Sequence, residues 1–361
     1  MDGLDVRTFA SPRRYIQGPG ALAVLANEVR PLGRSPLLLT DRVVCDALEA
    51  SLRPAFPFLE AVLFGGQCSP EEIKRVTAIG HSANCDVVIG AGGGKALDVA
   101  KAVATDLGTE VVIVPTVASN DAATSRLSVL YDASDAITGV RTAAWNPSTV
   151  VVDTALILKA PGRFFVAGIG DSLSKRFEAR QCRHANGRNF HGGSPPLLAK
   201  VMAEACYETL RSHAVGALLA VQRGVSDEAF ENTVEATVLL SGLAFETGGL
   251  SIAHALTRGL SAVPELAHAL HGEQVAYGLV VQLAAEGTSA SEMHDLLQFM
   301  GQVGLPRNLR ELAGKEFDHG SALAIVVERS LRDASHHLRH FQQPVDALLL
   351  TQAMQRAELG W

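Results

Sequence analysis

The chain has 361 residues, 47% of them hydrophobic and 5% aromatic. That is enough apolar material for two packed domains and excludes intrinsic disorder. Lysine and arginine number 31 against 38 acidic residues, a formal charge of −7, and neither sign gathers into a long block, so no nucleic-acid surface is expected.

The opening segment MDGLDVRTFASPRRYIQGPG lacks the basic stretch and apolar core of a secretory signal, and no run is long enough to cross a bilayer. A cytoplasmic protein with no membrane partner is expected. Cys45, Cys68, Cys85, Cys182 and Cys206 are odd in number and widely spaced, which reads as buried thiols rather than a disulfide framework or zinc ribbon.

Over residues 1–160, short aliphatic runs alternate with helical patterns: PLLLT ending at Thr40, AVLF at Phe64, DVVIG at Gly90, EVVIV at Val114 and TVVV at Val152. Such alternation predicts a parallel sheet with crossover helices, an α/β domain. Over residues 161–361 the spacing turns helical, as in SPPLLAKVMAEACYETLRSHA, SDEAFENTVEATVLLSGLAFE, the apolar segment Leu279 to Leu283 and the stretch from Val345 to Glu358. An all-α second domain is expected there.

Gly90-Ala91-Gly92-Gly93-Gly94-Lys95 follows a buried strand and opens the helix KALDVAKAVA. A strand-to-helix turn of this kind presents backbone N–H groups to a pyrophosphate, and glycines let the ligand approach. The spacing is neither GxGxxG nor a P-loop, because Ala96 follows Lys95, so a nucleoside triphosphate is disfavoured. Asp41, after the first central strand, suits the ribose of NAD and would repel the 2′-phosphate of NADP, although a solvated turn aspartate has the same look.

Asp171 stands in GIGDSLSK, where Gly168 and Gly170 interrupt the chain and the aspartate is expected near a helix start, as an N-cap or a ligand. His254 lies in GGLSIAHAL and His271 in HALHGEQVAYG. One carboxylate and two imidazoles suit a divalent zinc ion with coordination positions left open for a substrate oxygen. On spacing alone His268, three residues before His271, competes for the ligand role.

Seven blocks in order, FGGQCSPEEI, GAGGGKALDVAKA, PTVASNDAATSRLSVLY, NPSTVVVDT, APGRFFVAGIGDSLSKRFEA, GLAFETGGLSIAHAL and LHGEQVAYG, resemble the glycerol dehydrogenases over about residues 10 to 310. These belong to the class that holds the iron-dependent alcohol dehydrogenases, glycerol-1-phosphate dehydrogenase and dehydroquinate synthase. The resemblance implies a dinucleotide-binding α/β domain over 1–160, a helical metal-binding and catalytic domain over 161–361 with the metal site in the cleft between them, NAD and Zn2+ as cofactors, a homo-oligomer, and Asp171, His254 and His271 as metal ligands, leaving His268 outside the pattern. It implies cofactor contacts at Asp41, Gly94, Lys95, Asp98, Thr116, Ser119, Ser125, Leu127 and Tyr131, and a substrate-hydroxyl contact at Asp121, where an Asx-turn after Asn120 is the structural alternative. The iron-dependent branch has a further histidine ligand one helical turn after the aspartate; here that position is Lys175, which favours zinc. Dehydroquinate synthases, with a glutamate at the first ligand position, resemble the chain less.

The resemblance implies that the metal lowers the pKa of a substrate hydroxyl while the carbon bearing it passes hydride to nicotinamide, with a vicinal diol such as glycerol as substrate. One departure concerns that substrate. Where the family has His-Asn after the AHA histidine, this chain has Thr257-Arg258. Arg258, four residues after His254, either reads a carboxylate or phosphate from the cleft or turns to solvent or to an acid such as Glu265. The rivals are thus a dehydrogenase of hydroxy acids or phosphorylated polyols and a catalytically idle dinucleotide-binding protein. His336, His337 and His340 in ASHHLRHF are expected to be solvent-exposed and without a catalytic role.

Overall fold

The computed structural model describes residues 6–133, 135–314 and 319–360. Six parallel strands make one sheet: β1 (Arg14–Gly18), β2 (Pro36–Thr40), β3 (Glu60–Leu63), β4 (Val87–Gly92), β5 (Glu110–Pro115) and, after a hairpin, β8 (Thr149–Asp153), in the spatial order β1-β8-β5-β4-β2-β3. All neighbours pair in parallel. The inner strands β2, β4 and β8 are buried at every position, which is why their sequences are unbroken apolar runs rather than alternating ones.

Alternation along these strands instead sorts residues between two cores. Leu38, Ile89, Val112 and Val151 face the helix Arg42–Leu52 through Val44, Leu48 and Leu52. Leu37, Leu39, Val88, Ile113 and Val150 face the other way, against Ile73 and Val76 of the helix Pro70–Ser82 and Leu97 and Val103 of Gly94–Leu107. This second core continues without a break into the helical half, through Phe165, Leu256, Tyr277 and Val280.

Two features depart from the sequence reading. β1, RYIQG, carries Arg14 and Gln17 and no apolar run, and it pairs only with β8 at the sheet edge, so it needs no two-sided burial. The segment LSVLY forms β6 (Leu127–Tyr131), which pairs antiparallel with β7 (Ile137–Thr142), a half-exposed strand that presents no continuous apolar signal.

After Asp153 the described residues contain helices and no further named strand. The longest, Leu197–Arg223, ends at Gly224 in the left-handed region with φ 65°. The next runs from Glu228, where the Asp227 side chain caps Phe230 N–H at 3.0 Å, through a π-helical turn at Ala236–Leu240 to Gly248. Asp346 caps the helix Ala347–Leu359 in the same way at Leu349 N–H. No single helix among the described residues is long and apolar enough to cross a membrane.

Candidate active site

Between the carboxyl ends of the sheet strands and the helical half lies a cleft of about 890 Å3. Its sheet wall includes Asp41, Gly94, Lys95, Asp98, Thr116, Ser119, Asp121, Ser125, Leu127 and Tyr131; its helical wall includes His254, Arg258 and His271. Asp171 lies just behind this surface, fully buried. The structure therefore brings the metal-ligand, cofactor and substrate candidates to one place, His268 excepted.

On the sheet wall, β4 runs to Gly92 and the helix Gly94–Leu107 starts at once, with Gly93 between them. The Gly93 N–H points out of the helix end and donates to Asp41 Oδ2 at 3.2 Å. Burial raises the Asp41 carboxyl pKa, and the Gly93 bond partly offsets this. Asp98 has a different job from a free cleft carboxylate: its oxygens take Lys101 Nζ at 2.8 Å and Val129 N–H at 2.8 Å. The buried Lys101 ammonium also donates to Ala122 O at 2.8 Å and to Leu127 O, which ties the hairpin β6–β7 and the Asn120–Leu127 loop to the glycine-turn helix. Lys95 reaches Asp135 at 2.5 Å and lies 4.6 Å from the centre of the Tyr131 ring. The Asx-turn belongs to Asn120, whose Oδ1 accepts from Ala122 N–H at 3.1 Å, leaving the Asp121 carboxylate directed inward, where Ser241 Oγ donates to it at 3.0 Å.

On the helical wall three helices meet. Asp171 is in the last turn of Gly162–Leu173 and not at a helix start, so it caps nothing. Gly168 and Gly170 do not interrupt that helix; they thin it. A Cβ on Gly170 would lie 2.4 Å from Gly272 O, and one on Gly272 only 1.7 Å from Ala167 O. Backbone thus meets backbone, and His271, first residue of the helix His271–Glu286, comes within 4.0 Å of Asp171 Oδ1 through Nε2. His254, in the helix Ile252–Leu260, brings Nε2 to 3.2 Å from the same oxygen. His268 is exposed on a turn before His271 and outside this cluster.

One ligand atom from each of Asp171, His254 and His271 lies within 4.8 Å of the others, which fits a divalent ion bound by one carboxylate and two imidazoles. Two further observations support the fit. Asp171 Oδ2 is buried with no hydrogen-bond partner, a costly condition unless something else satisfies it. Three largely buried carboxylates, Asp121, Asp171 and Glu178, surround one ammonium, Lys175, so acidic groups outnumber the fixed cation in the cluster; burial raises the Asp121 pKa, and against burial, which would lower it, Glu178 and Asp171 raise that of His254.

Glu178, which the sequence did not single out, organises the cluster. Its oxygens meet His254 Nδ1 at 2.6 Å and accept from the Ser251 and His254 N–H groups at 2.8 and 3.1 Å and from Ser174 Oγ at 2.8 Å. Holding the proton on Nδ1 leaves Nε2 as a lone-pair donor, the arrangement of metal-ligating histidines. Burial alone would raise the Glu178 pKa, but His254 and Lys175 beside it hold it below its ordinary value. Burial likewise opposes ionisation of Asp171, and Lys175 with His254 and His271 overcomes it, holding the carboxyl well below the usual range. Burial pushes the His271 ring down to about 4, so this imidazole is neutral at physiological pH.

Arg258 lines the cleft and donates from Nη1 to Ile137 O at 3.2 Å, on the hairpin β6–β7. The histidines of ASHHLRHF correct the expectation of exposure. His336 is exposed, but His337 is buried and lines the cleft, and His340 Nδ1 lies 2.9 Å from Leu250 O. Their polar sequence context gave no signal of this, because His337, in the short helix Ser335–Leu338, is buried by tertiary neighbours such as the Phe190 ring, 6.0 Å away between ring centres.

A parallel sheet with a glycine turn facing an aspartate and two histidines across one cleft is the arrangement of a metal-dependent dehydrogenase, and the model of the iron-containing alcohol dehydrogenases matches residues 12–154. The chain is 39% identical over 326 residues, 89% of each sequence, to a glycerol dehydrogenase from Escherichia coli. It is 40% identical over 308 residues, 84% of each, to a glycolaldehyde reductase from Halobacterium salinarum. The crystal structure of a probable glycerol dehydrogenase from Sinorhizobium meliloti superposes with a TM-score of 0.94 at 36% identity, covering 98% of this chain and 99% of that one. The chain belongs to the glycerol dehydrogenase family, within the iron-containing alcohol dehydrogenase class.

Proposed function

We propose that this alcohol dehydrogenase transfers hydride between a small polyol, glycerol or a close analogue, and NAD, giving a ketone such as dihydroxyacetone, at a zinc ion held by Asp171, His254 and His271. The observation that carries this reading is the orphaned Asp171 Oδ2 beside two imidazole nitrogens, at one end of a cleft whose other end is the glycine turn. The zinc ion, when bound, supplies a Lewis acid that lowers the pKa of a substrate hydroxyl. Zinc rather than iron is favoured because Lys175, an ammonium, stands where the iron-dependent branch has a fourth ligand. A homo-oligomeric, cytoplasmic enzyme, divided near residue 160 into a dinucleotide-binding and a catalytic domain, belongs to the same reading.

The chain's own groups do the rest. Gly94 at the helix end and Thr116 and Ser119 beyond β5 offer the cofactor backbone and hydroxyl contacts, with Asp41 at the ribose. Ser125, Leu127 and Tyr131 line the nicotinamide side, while Lys95 and Asp98 brace that wall. Asp121 accepts a hydrogen bond from a substrate hydroxyl and so orients the carbon that gives up hydride. Atoms balance as alcohol plus NAD+ giving carbonyl, NADH and a proton. An alcohol screen coupled to NADH absorbance, run on protein stripped with chelator and again after zinc is restored, tests this: glycerol oxidation should appear only with the ion. Metal-free protein that turns over glycerol overturns the zinc assignment, and no activity with any alcohol favours an idle dinucleotide-binding protein.

A second reading has one observation in its favour. Arg258 faces the cleft instead of turning to Glu265 or bulk solvent, which suits an alcohol carrying a carboxylate or phosphate.

A further inference from the structure

Lys175 opens the helix Lys175–His184, four residues after Asp171, and its side chain enters the donor set instead of leaving for solvent. Nζ is 2.5 Å from Asp171 Oδ1, 3.1 Å from His254 Nε2 and 3.0 Å from Asp121 Oδ2. It therefore engages His254 Nε2 and one oxygen of Asp171, while Oδ2 of the same carboxylate stays without a partner. The Phe245 ring, which lines the cleft, lies 5.6 Å from Nζ to its centre, and the Lys175 side chain is buried. Two cations cannot share Asp171 and His254 at such distances without strong repulsion, since the buried surroundings screen poorly. Asp121 offers the ammonium another carboxylate, one that belongs to the substrate side of the cluster and not to the three ligands.

We propose that Lys175 is a built-in competitor for the metal: its ammonium must give up His254 Nε2 and draw back toward Asp121 before a divalent ion seats. The inference rests on the metal-site reading above. It makes the affinity lower than the three donors alone would set, and it makes uptake an exchange of one cation for another. Lys175 is thus a positioning residue for the metal and, through Asp121, for the substrate contact. The same exchange keeps the charge count even, because the ammonium stays in the cluster as partner of Asp121 after the ion arrives.

The test measures zinc and cobalt(II) affinity of the chelator-stripped full chain by competition with a chromogenic chelator at fixed pH. Wild type is compared with Lys175→Met, which keeps length and removes charge, and with Lys175→Gln, which keeps polarity. Both variants should bind zinc at least 10-fold more tightly than wild type, and saturating zinc should raise their melting temperatures more than it raises that of wild type. Structural damage at a metal site loosens it, so tightening has the sign that damage cannot produce. Equal or weaker binding by either folded variant, with wild type binding normally, overturns the competitor role and leaves the metal site standing. No zinc or cobalt bound by any of the three proteins overturns both.

Discussion

The sheet wall of the cleft takes its groups from consecutive stretches of chain. Gly93, Gly94, Lys95 and Asp98 follow β4, and the residues from Thr116 to Tyr131 follow β5, so parallel pairing of adjacent strands is enough to bring them side by side. The helical wall takes Asp171 and His254 from positions 83 residues apart and adds His271 from a third helix. Nothing local joins these three; glycine contacts between helices and the Glu178 network do. One wall offers backbone N–H groups and keeps its buried charges paired, Asp98 with Lys101, whereas the other sets Asp171 and Glu178 about the buried Lys175 ammonium and shares it with Asp121 of the sheet wall.

The sharpest way to separate the walls is Asp171→Asn, which preserves shape and removes the central charge. Zinc should be lost and turnover should fall on the order of 1000-fold or more, because several kcal/mol of charge stabilisation at the reacting oxygen goes with it. NAD affinity, measured by quenching of protein fluorescence, should change less than 3-fold (roughly 0.6 kcal/mol). A parallel loss of NAD binding would show that the two walls form a single cooperative unit.

The glycines allow a finer comparison. In Gly272→Ala the new methyl meets the backbone Ala167 O at 1.7 Å, so two helices must part. In Gly94→Ala it meets the Asn120 side-chain nitrogen at 2.5 Å, which can swing away. The first should cost about 3 kcal/mol of stability, near the top of the usual overpacking range, and weaken zinc binding with it. The second should cost about 1 kcal/mol or less and lower NAD affinity alone. Urea denaturation curves with metal and cofactor titrations check both; equal destabilisation by the two would refute the distinction.

Glu178→Gln tests whether orientation of a ligand matters once the three donors are intact. The amide can accept from His254 Nδ1 but leaves at least one of the surrounding donors facing an NH2 group. Zinc affinity should fall about 10- to 100-fold with the protein still folded. A pH titration of stability gives the sign independently. The Glu178 pKa is lower in the folded chain than in the unfolded one, so its contribution is present above the unfolded value and fades as pH falls through the folded value; the variant should lose that acid-side dependence.

The difference between the walls also decides what the sequence could reveal. The inner strands were legible because burial on both faces leaves unbroken aliphatic runs, and the glycine turn was legible because it is contiguous. β1 and the hairpin β6–β7 were not, since an edge strand and a half-exposed ribbon need no such runs. Composition made Asp171, His254 and His271 plausible ligands but could not choose between His271 and His268; the choice came from resemblance to whole ordered blocks. Glu178 and His337 were missed for a tertiary reason. Their surroundings depend on which helix packs against which, as the His271 position does on Gly170, a residue that looks like an interruption in sequence but lets the Gly272 backbone approach.

Arg258 is another place where the two walls touch, since it springs from the His254 helix and bonds to Ile137 O on the hairpin that the glycine-turn helix braces. If its guanidinium also reads an anionic group on the substrate, Arg258→Ala should raise KM for a small hydroxy acid by about 10-fold, the worth of one charge-assisted hydrogen bond, roughly 1.5 kcal/mol. Glycerol, which has no anion to offer, should keep its KM within 2-fold, well under 1 kcal/mol. If the residue only fastens hairpin to helix, both substrates should suffer alike and the melting temperature should fall. The ratio of the two KM changes, rather than either alone, therefore distinguishes an anion-reading arginine from a structural clasp.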